Sequence, residues 1–250
     1  LSFSSVSDLD SINIALSKEE RMQLSGRIDR VDTYEDGQNV YVKVVDYKSG
    51  EKHFDLVELY HGLQLQLVVY MNAALELQKK KHPDKAVEPA ALLYYHVTDP
   101  VIEAKKVLTE EEVNDKIVEQ LRQAGVGNSS MDVIGQLDQE LSGKSQVIPV
   151  ELKKDGSLGS RSKALDGDAL SLLSAYVNQK IKETGQKILD GEIGIHPYES
   201  GDRSACTFCE FKGVCGFDES LKGYKKRNLG GMTSEEALEA IAREVEKNGV

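Results

Sequence analysis

Residues 24–48, LSGRIDRVDTYEDGQNVYVKVVDYK, constrain the fold of this chain more than any other stretch. Val40, Val42 and Val44 alternate with Tyr41, Lys43 and Val45, the period-2 signature of a strand. The alternation carries on to Asp46 and Lys48, so an acid and an amine leave the end of that strand on one face. Glu35-Asp36-Gly37-Gln38 interrupts the pattern with hairpin-turn chemistry. A two-residue turn at Gly37-Gln38 pairs Asp36 with Asn39 and sets Asp29 opposite Asp46. A turn centred on Asp36-Gly37 slides Asp29 opposite Val44, still on the face that carries Asp46. Either register brings two carboxylates and one lysine together.

Two carboxylates can hold Mg²⁺ or Mn²⁺, hard cations that take oxygen ligands and keep several waters. Such a metal polarises a phosphate and lowers the pKa of a bound water. A lysine beside it orients the water or offsets charge in the transition state. The structural alternative is a surface hairpin with solvated charges. Against it, Asp46 ends a strongly apolar strand, where a solvated acid has no structural purpose.

The chain has 250 residues, enough to bury a sizeable core as one domain, with 40% hydrophobic and 29% charged residues, ordinary for a globular protein. No apolar run approaches the roughly 20 residues of a membrane helix, and no signal peptide is present. The start at Leu1, without methionine, points to an excised or processed piece, and residues 1–23 read as the truncated start of a domain. A formal charge of −11 argues against a free-standing DNA-binding protein and suits a domain to which DNA is delivered. No complete Walker-type loop occurs, so ATP hydrolysis would belong elsewhere.

Further along, SINIAL (11–16) reads as a strand turned back by residues 17–20 into the Leu24 strand. Residues 55–82 read as one long buried helix in which Gln66 and Tyr70 share a face, with the alternative that Gln66 is a satisfied core amide. Lys79-Lys80-Lys81-His82 closes that helix. Residues 89–97 read as a buried strand with His96 in the core or at its rim. Thr109 opens a capping-box helix running through Ala124, with Gly125 as its stop. The Gly-, Ser- and Asp-rich stretch to residue 146 completes a peripheral helical insertion, about 106–146, with a mobile loop. Short strands at 147–152 and 193–195 flank a second amphipathic helix over 168–189, and residues 232–250 form a capped amphipathic helix in the C-terminal tail, 221–250. The sum is an α/β fold with a mixed sheet flanked by helices.

Cys206, Cys209 and Cys215 are the chain's three cysteines and lie within ten residues. That spacing suits soft-ligand metal binding, an iron–sulfur cluster or zinc, and a reducing, cytoplasmic compartment. A Cys₃His zinc site with His196 is the alternative, though its spacing is loose.

Three motifs in order carry a resemblance to a known family: Gly26-Arg27-Ile28-Asp29-Arg30-Val31-Asp32, Val45-Asp46-Tyr47-Lys48-Ser49-Gly50, and Gln64-Leu65-Gln66-Leu67-Val68-Val69-Tyr70. Together they resemble the RecB-type branch of the PD-(D/E)XK nucleases, most closely the nuclease domains of AddB-type subunits of bacterial helicase–nucleases. The resemblance covers most of the chain, with the nuclease domain over 1–220. It implies a restriction-endonuclease-like core and Mg²⁺-dependent exonuclease activity on DNA in double-strand break repair and recombination, with an AddA-like subunit as partner. It implies that Asp29 and Asp46 bind the metal with the Tyr47 carbonyl, that Lys48 acts on water or phosphate, and that Gln66 and Tyr70 position the phosphate or the metal-bound water. Gln64 competes for the Gln66 assignment. A histidine that many relatives add on an upstream helix has no match here. A stand-alone Cas4-like exonuclease and a non-catalytic DNA-guiding subunit are the rivals; the 100–150 segment and the terminal helix favour the AddB type over the first, and the presence of Asp29, Asp46 and Lys48 weighs against the second.

The resemblance also implies a [4Fe–4S] cluster whose fourth cysteine lies far upstream, outside these 250 residues. A cubane cluster takes four thiolates and this chain offers three. The expectation is therefore an incomplete site: three reduced thiols near each other, or a poorly ordered segment over 200–217. Iron and sulfide analysis of the purified chain, with an absorption spectrum, should show less than stoichiometric four-iron content. A full complement in a monomer would contradict that.

Overall fold

The computed structural model describes residues 2–3, 9–50 and 52–247. At the N-terminus, β1 (Ser2–Phe3) pairs with β4 (Gly26–Arg27). Between them β2 (Asn13–Ala15) and β3 (Arg21–Gln23) form the small hairpin expected from SINIAL and its return. A bend at Asp29 leads into β5 (Arg30–Glu35), which pairs antiparallel with β6 (Asn39–Lys48).

The register joins Arg30 to Val45 and Glu35 to Val40, the first of the two registers the turn chemistry allows. Asp36 closes the turn: its carboxylate accepts the N–H groups of Gln38 and Asn39 at 2.9 and 2.7 Å. This is the Asx geometry that short acidic side chains favour. Along β6, Val40, Val42, Val44 and Asp46 are all buried. Val45, on the other parity, is buried too, against the opposite face of the sheet.

The expected helix over 55–82 is two helices. Asp55 caps α1 (Leu56–Tyr60), its carboxylate accepting from the N–H groups of Val57 and Glu58. Gly62 then turns the chain at φ +82°, a conformation that suits a residue without Cβ. The second helix, α2 (Gln66–Lys81), starts four residues later and ends on Lys79, Lys80 and Lys81. It crosses to β7 (Ala86–His96), which lies parallel to β6. The ladder shifts register by one residue beside Pro89, which has no N–H to give it.

Thr109 and Glu112 form the expected capping box of α3 (Glu110–Leu121). That helix stops three residues short of Ala124. The chain from there is β8 (Ala124–Asn128), a strand of the main sheet antiparallel to β7, followed by α4 (Met131–Leu137). Stretch 147–152, expected as a strand, makes only isolated bridges at Glu151 and Leu152. After β9 (Ala164–Leu165) comes α5 (Gly167–Leu189), capped by Asp166. Residues 193–195 are irregular. The strands nearby are β10 (Tyr198–Ser200), β11 (Arg203–Ser204) and, after the short α6 (Lys212–Cys215), β12 (Arg227–Asn228), which together make a separate small sheet. The last helix, α7 (Ser234–Lys247), has a Thr233–Glu236 capping box and buries Ala237, Ile241 and Val245 as its periodicity predicts. Residues 248–250 of the expected tail helix lie outside the described residues.

The main sheet is mixed, in the order β5-β6-β7-β8-β9. The larger core lies between one face of it and α2 and α5, with α7 packed outside α5. A smaller core lies under α4 on the other face, around Val45, Ala91, Leu93 and Ile134. No described helix is long and apolar enough to cross a membrane.

Gly125 shows why β8 depends on glycine. It adopts φ +140°, and a Cβ there would stand 2.1 Å from the Leu92 carbonyl oxygen and 2.9 Å from the Leu93 Cα. Both are backbone atoms of β7, so nothing flexible can move aside. Gly125→Ala should destabilise the fold by about 3 kcal/mol, combining overpacking with a strained dihedral. Urea denaturation of the two proteins measures it.

Candidate active site

The end of β6 is where the acid, the amine and the amide meet. Asp46 is 3% exposed and faces the larger core side, on the parity of Val42 and Val44. Lys48 follows it on the same face. Its Nζ stands 2.5 Å from Asp46 Oδ2, an ion-pair contact whose angles do not make a hydrogen bond, so this buried oxygen has no hydrogen-bond partner. Lys48 Nζ also donates to Gln66 Oε1 at 3.1 Å, and Gln66 Nε2 donates to the Tyr70 hydroxyl at 2.8 Å. One connected row, Asp46–Lys48–Gln66–Tyr70, thus runs from the strand onto α2.

The break between α1 and α2 makes that row possible. Gln66 is the first residue of α2 and is exposed, and is not an amide inside a continuous buried helix. Tyr70, one turn on, is buried at 8% exposure and anchors the far end. Gln64, the competing amide, is turned the other way. Its Oε1 accepts the Asp55 N–H at 3.3 Å and its Nε2 donates to Glu58.

Asp29 reaches the same place from the bend before β5. Its Oδ2 accepts the Tyr47 N–H at 3.0 Å, which seats it beside the residue between Asp46 and Lys48. Asp29 itself is exposed. The Tyr47 ring lies on the other face, edge-on to Tyr95 at 5.8 Å, so only its backbone is on offer to the site.

Tyr94, unassigned by the sequence pattern, lies directly opposite Asp46 in the β6–β7 ladder and is 1% exposed. Lys48 Nζ is 5.9 Å from its ring centroid. Burial, and then the negative charges of Asp46 and Glu58, push its phenol above the usual range. Glu58 on α1 was also not anticipated. It is 6% exposed and pairs with Arg203, from β11. Burial works against its ionisation, but hydrogen bonds from Gln64 and Arg203 outweigh it and hold the carboxyl below its ordinary value. A lone acid between Leu56 and Leu59 is the sequence signal that could have marked it.

The other predicted ligands are arranged differently. Cys206, Cys209 and Cys215 are free thiols, with Cys209 exposed. Among the described residues, no three His, Cys, Asp or Glu side chains gather as a metal-binding group. The trio has the composition of an iron–sulfur or zinc site but, as folded here, does not fit a ligated one, and His196 does not complete it. His96 sits at the rim, where its Nε2 accepts the Lys52 N–H at 2.8 Å. Gly143-Lys144-Ser145 is the tail of a phosphate-loop pattern whose leading glycine is Asp138 here, and it follows no strand. A cavity of about 700 Å³ lies beyond the end of β7, lined by His53, His96, Arg122 and Lys163 among others. Its Lys144 and Arg161 are paired with Glu119 and Glu151, so it is no strongly basic groove.

For a divalent cation the donor set fits. Asp46 presents a buried carboxylate oxygen without a hydrogen-bond donor, Asp29 stands beside it, and oxygen donors are what Mg²⁺ and Mn²⁺ take.

The chain is similar to proteins named as the AddB-type component of an ATP-dependent helicase/deoxyribonuclease. It is 35% identical to that of Thermoanaerobacter pseudethanolicus over 95% of this chain, 41% to that of Lachnoclostridium phytofermentans over 90%, and 39% to that of Bacillus thuringiensis over 95%. In each case it covers 20% of the relative's length, so the chain spans about a fifth of the proteins it matches. Residues 3–216 match the profile of the PD-(D/E)XK nuclease superfamily, and the chain belongs to that superfamily.

Proposed function

We propose that this domain hydrolyses phosphodiester bonds of DNA as the metal-dependent exonuclease part of an AddB-type subunit. The observation that carries the reading is Asp46: a buried carboxylate with one oxygen lacking a hydrogen bond, beside a lysine held by Gln66. Asp29, Asp46 and the Tyr47 carbonyl would hold Mg²⁺ or Mn²⁺, which supplies a Lewis acid for the phosphate and an activated water.

The remaining roles belong to the chain itself. The Lys48 ammonium has three N–H donors. Two are directed at Asp46 and Gln66, which leaves the third for a phosphate oxygen or the attacking water. Gln66 orients that ammonium, and the Tyr70 hydroxyl fixes which way the Gln66 amide points. Lys48 then offsets the charge that builds on the phosphate in the transition state.

The names of the relatives place such a domain in a helicase–nuclease. We extend that setting to this chain: a cytoplasmic complex with an AddA-like partner, processing double-strand breaks for recombination. A chain of net charge −11 gains from a partner that delivers the polyanion. For the cysteine trio we propose three thiolates of a [4Fe–4S] cluster whose fourth ligand lies outside these 250 residues, which the iron and sulfide analysis tests.

Asp46→Ala tests the central claim. In the intact protein it should abolish Mg²⁺-dependent degradation of linear DNA, a loss of at least about 10³-fold, since metal and nucleophile are lost together. The circular dichroism spectrum should be unchanged. An Asp46→Ala protein that cuts at the wild-type rate refutes the reading.

A further inference from the structure

Glu58 is the buried charge that the chemistry above leaves unused. Its carboxylate is gripped from two sides, by the Arg203 guanidinium on one oxygen and the Gln64 amide on the other. Its backbone takes part as well: the Glu58 N–H is held by the Asp55 cap at 3.2 Å, and its carbonyl accepts the Leu63 N–H at 2.9 Å. Gln64 closes the ring by accepting the Asp55 N–H. Every one of these contacts lies in or on the elbow between α1 and α2, and Gln66 is the residue at which the elbow ends.

A buried ion pair is a costly way to hold a turn that packing alone could hold. What it offers is direction, because a carboxylate with both oxygens engaged allows one placement of its partners. The partners here are an amide two residues before Gln66 and an arginine from the hairpin that leads into Cys206. We propose that Glu58, clamped between Arg203 and Gln64, is a positioning residue of the active site, setting Gln66 and through it the Lys48 ammonium. The inference rests on the nuclease reading. It also makes β11 the place where the cysteine segment takes hold of the active-site scaffold.

Steady-state cleavage of linear DNA by the intact protein in Mg²⁺ tests it. Glu58→Gln keeps the shape and loses the charge. Arg203→Ala alters a side chain that is mostly exposed, so the fold is not at stake. Each should lower kcat about tenfold with KM for DNA within about twofold, the pattern of a lost transition-state interaction. Arg203→Lys should recover most of the loss. In a Gln66→Ala background, Glu58→Gln should cost less than about twofold more, because the two act through one contact. Equal cost in both backgrounds would overturn the proposal and leave a plain structural staple. A second readout needs no activity: the ¹⁵N side-chain amide signal of Gln66 should move in Glu58→Gln and Arg203→Ala. An unmoved signal overturns the proposal even if the wild type cuts DNA, whereas a wild type inert in Mg²⁺ would bring down the nuclease reading itself.

Discussion

Strand β6 is hydrogen-bonded along both edges, antiparallel to β5 and parallel to β7, and every reactive group takes its position from that double pairing. The β5 side fixes register and so brings Asp29 to the N–H of Tyr47. The β7 side covers the strand and puts Tyr94 against Asp46. Between them the alternation leaves Asp46 no choice of face: a slip of one residue would send it, and all three valines before it, to the opposite side. A carboxylate held there, away from water, must find positive charge. Lys48 supplies one from the same face two residues on, and the oxygen still lacking a hydrogen bond is where a cation would supply more.

The elbow between α1 and α2 is the second constraint. A continuous helix would bury Gln66 partway along its length. Breaking it at Gly62 makes Gln66 a first-turn residue with an exposed side chain, within reach of a lysine coming off the sheet. The elbow is thus the hinge on which the strand half of the site meets the helix half. It is closed by polar contacts with little apolar packing of its own, which explains why an acid, an amide and an arginine crowd a position that sequence periodicity treats as core.

How much of this could be read beforehand follows from which signals are local. The β5–β6 hairpin was legible because period-2 alternation and the Asp36 turn both lie within one short stretch. The Thr109 and Thr233 capping boxes were legible for the same reason. The split helix was not, since Leu56, Leu59, Leu63 and Leu67 keep helical spacing across the break and only tertiary contacts to Glu58 mark it. Nor was β8, where Gly125 reads as a helix stop, although its real use is to let a strand pass close to the β7 backbone. Tyr94 escaped because parallel pairing between strands separated by a helix has no register signal in sequence. Asp46, Lys48, Gln66 and Tyr70 were found from their pattern and join into one row; Glu58 and Arg203 lie 145 residues apart and could be joined only by the fold.

The overall charge of −11 and the single amine at the site act on different length scales. Screening at physiological salt confines exposed charges to a range of about 8 Å. The acids in the first turns of α3 and α7, both solvent-facing, therefore bear on how DNA approaches and hardly on how a bound phosphate is handled. At the site the balance is different: Lys48 is only half-buried, but it faces a carboxylate shut away from water, where screening is weak. The same chain can then repel free DNA and still stabilise charge on a phosphate already in place. Such a division of labour has a physical requirement, that something else hold the strand against the end of β6. It also has a structural consequence. The site has little spare attraction for correcting a misplaced phosphate, so the direction of the Lys48 ammonium, set by Gln66 and the elbow behind it, weighs more here than it would in a strongly basic cleft.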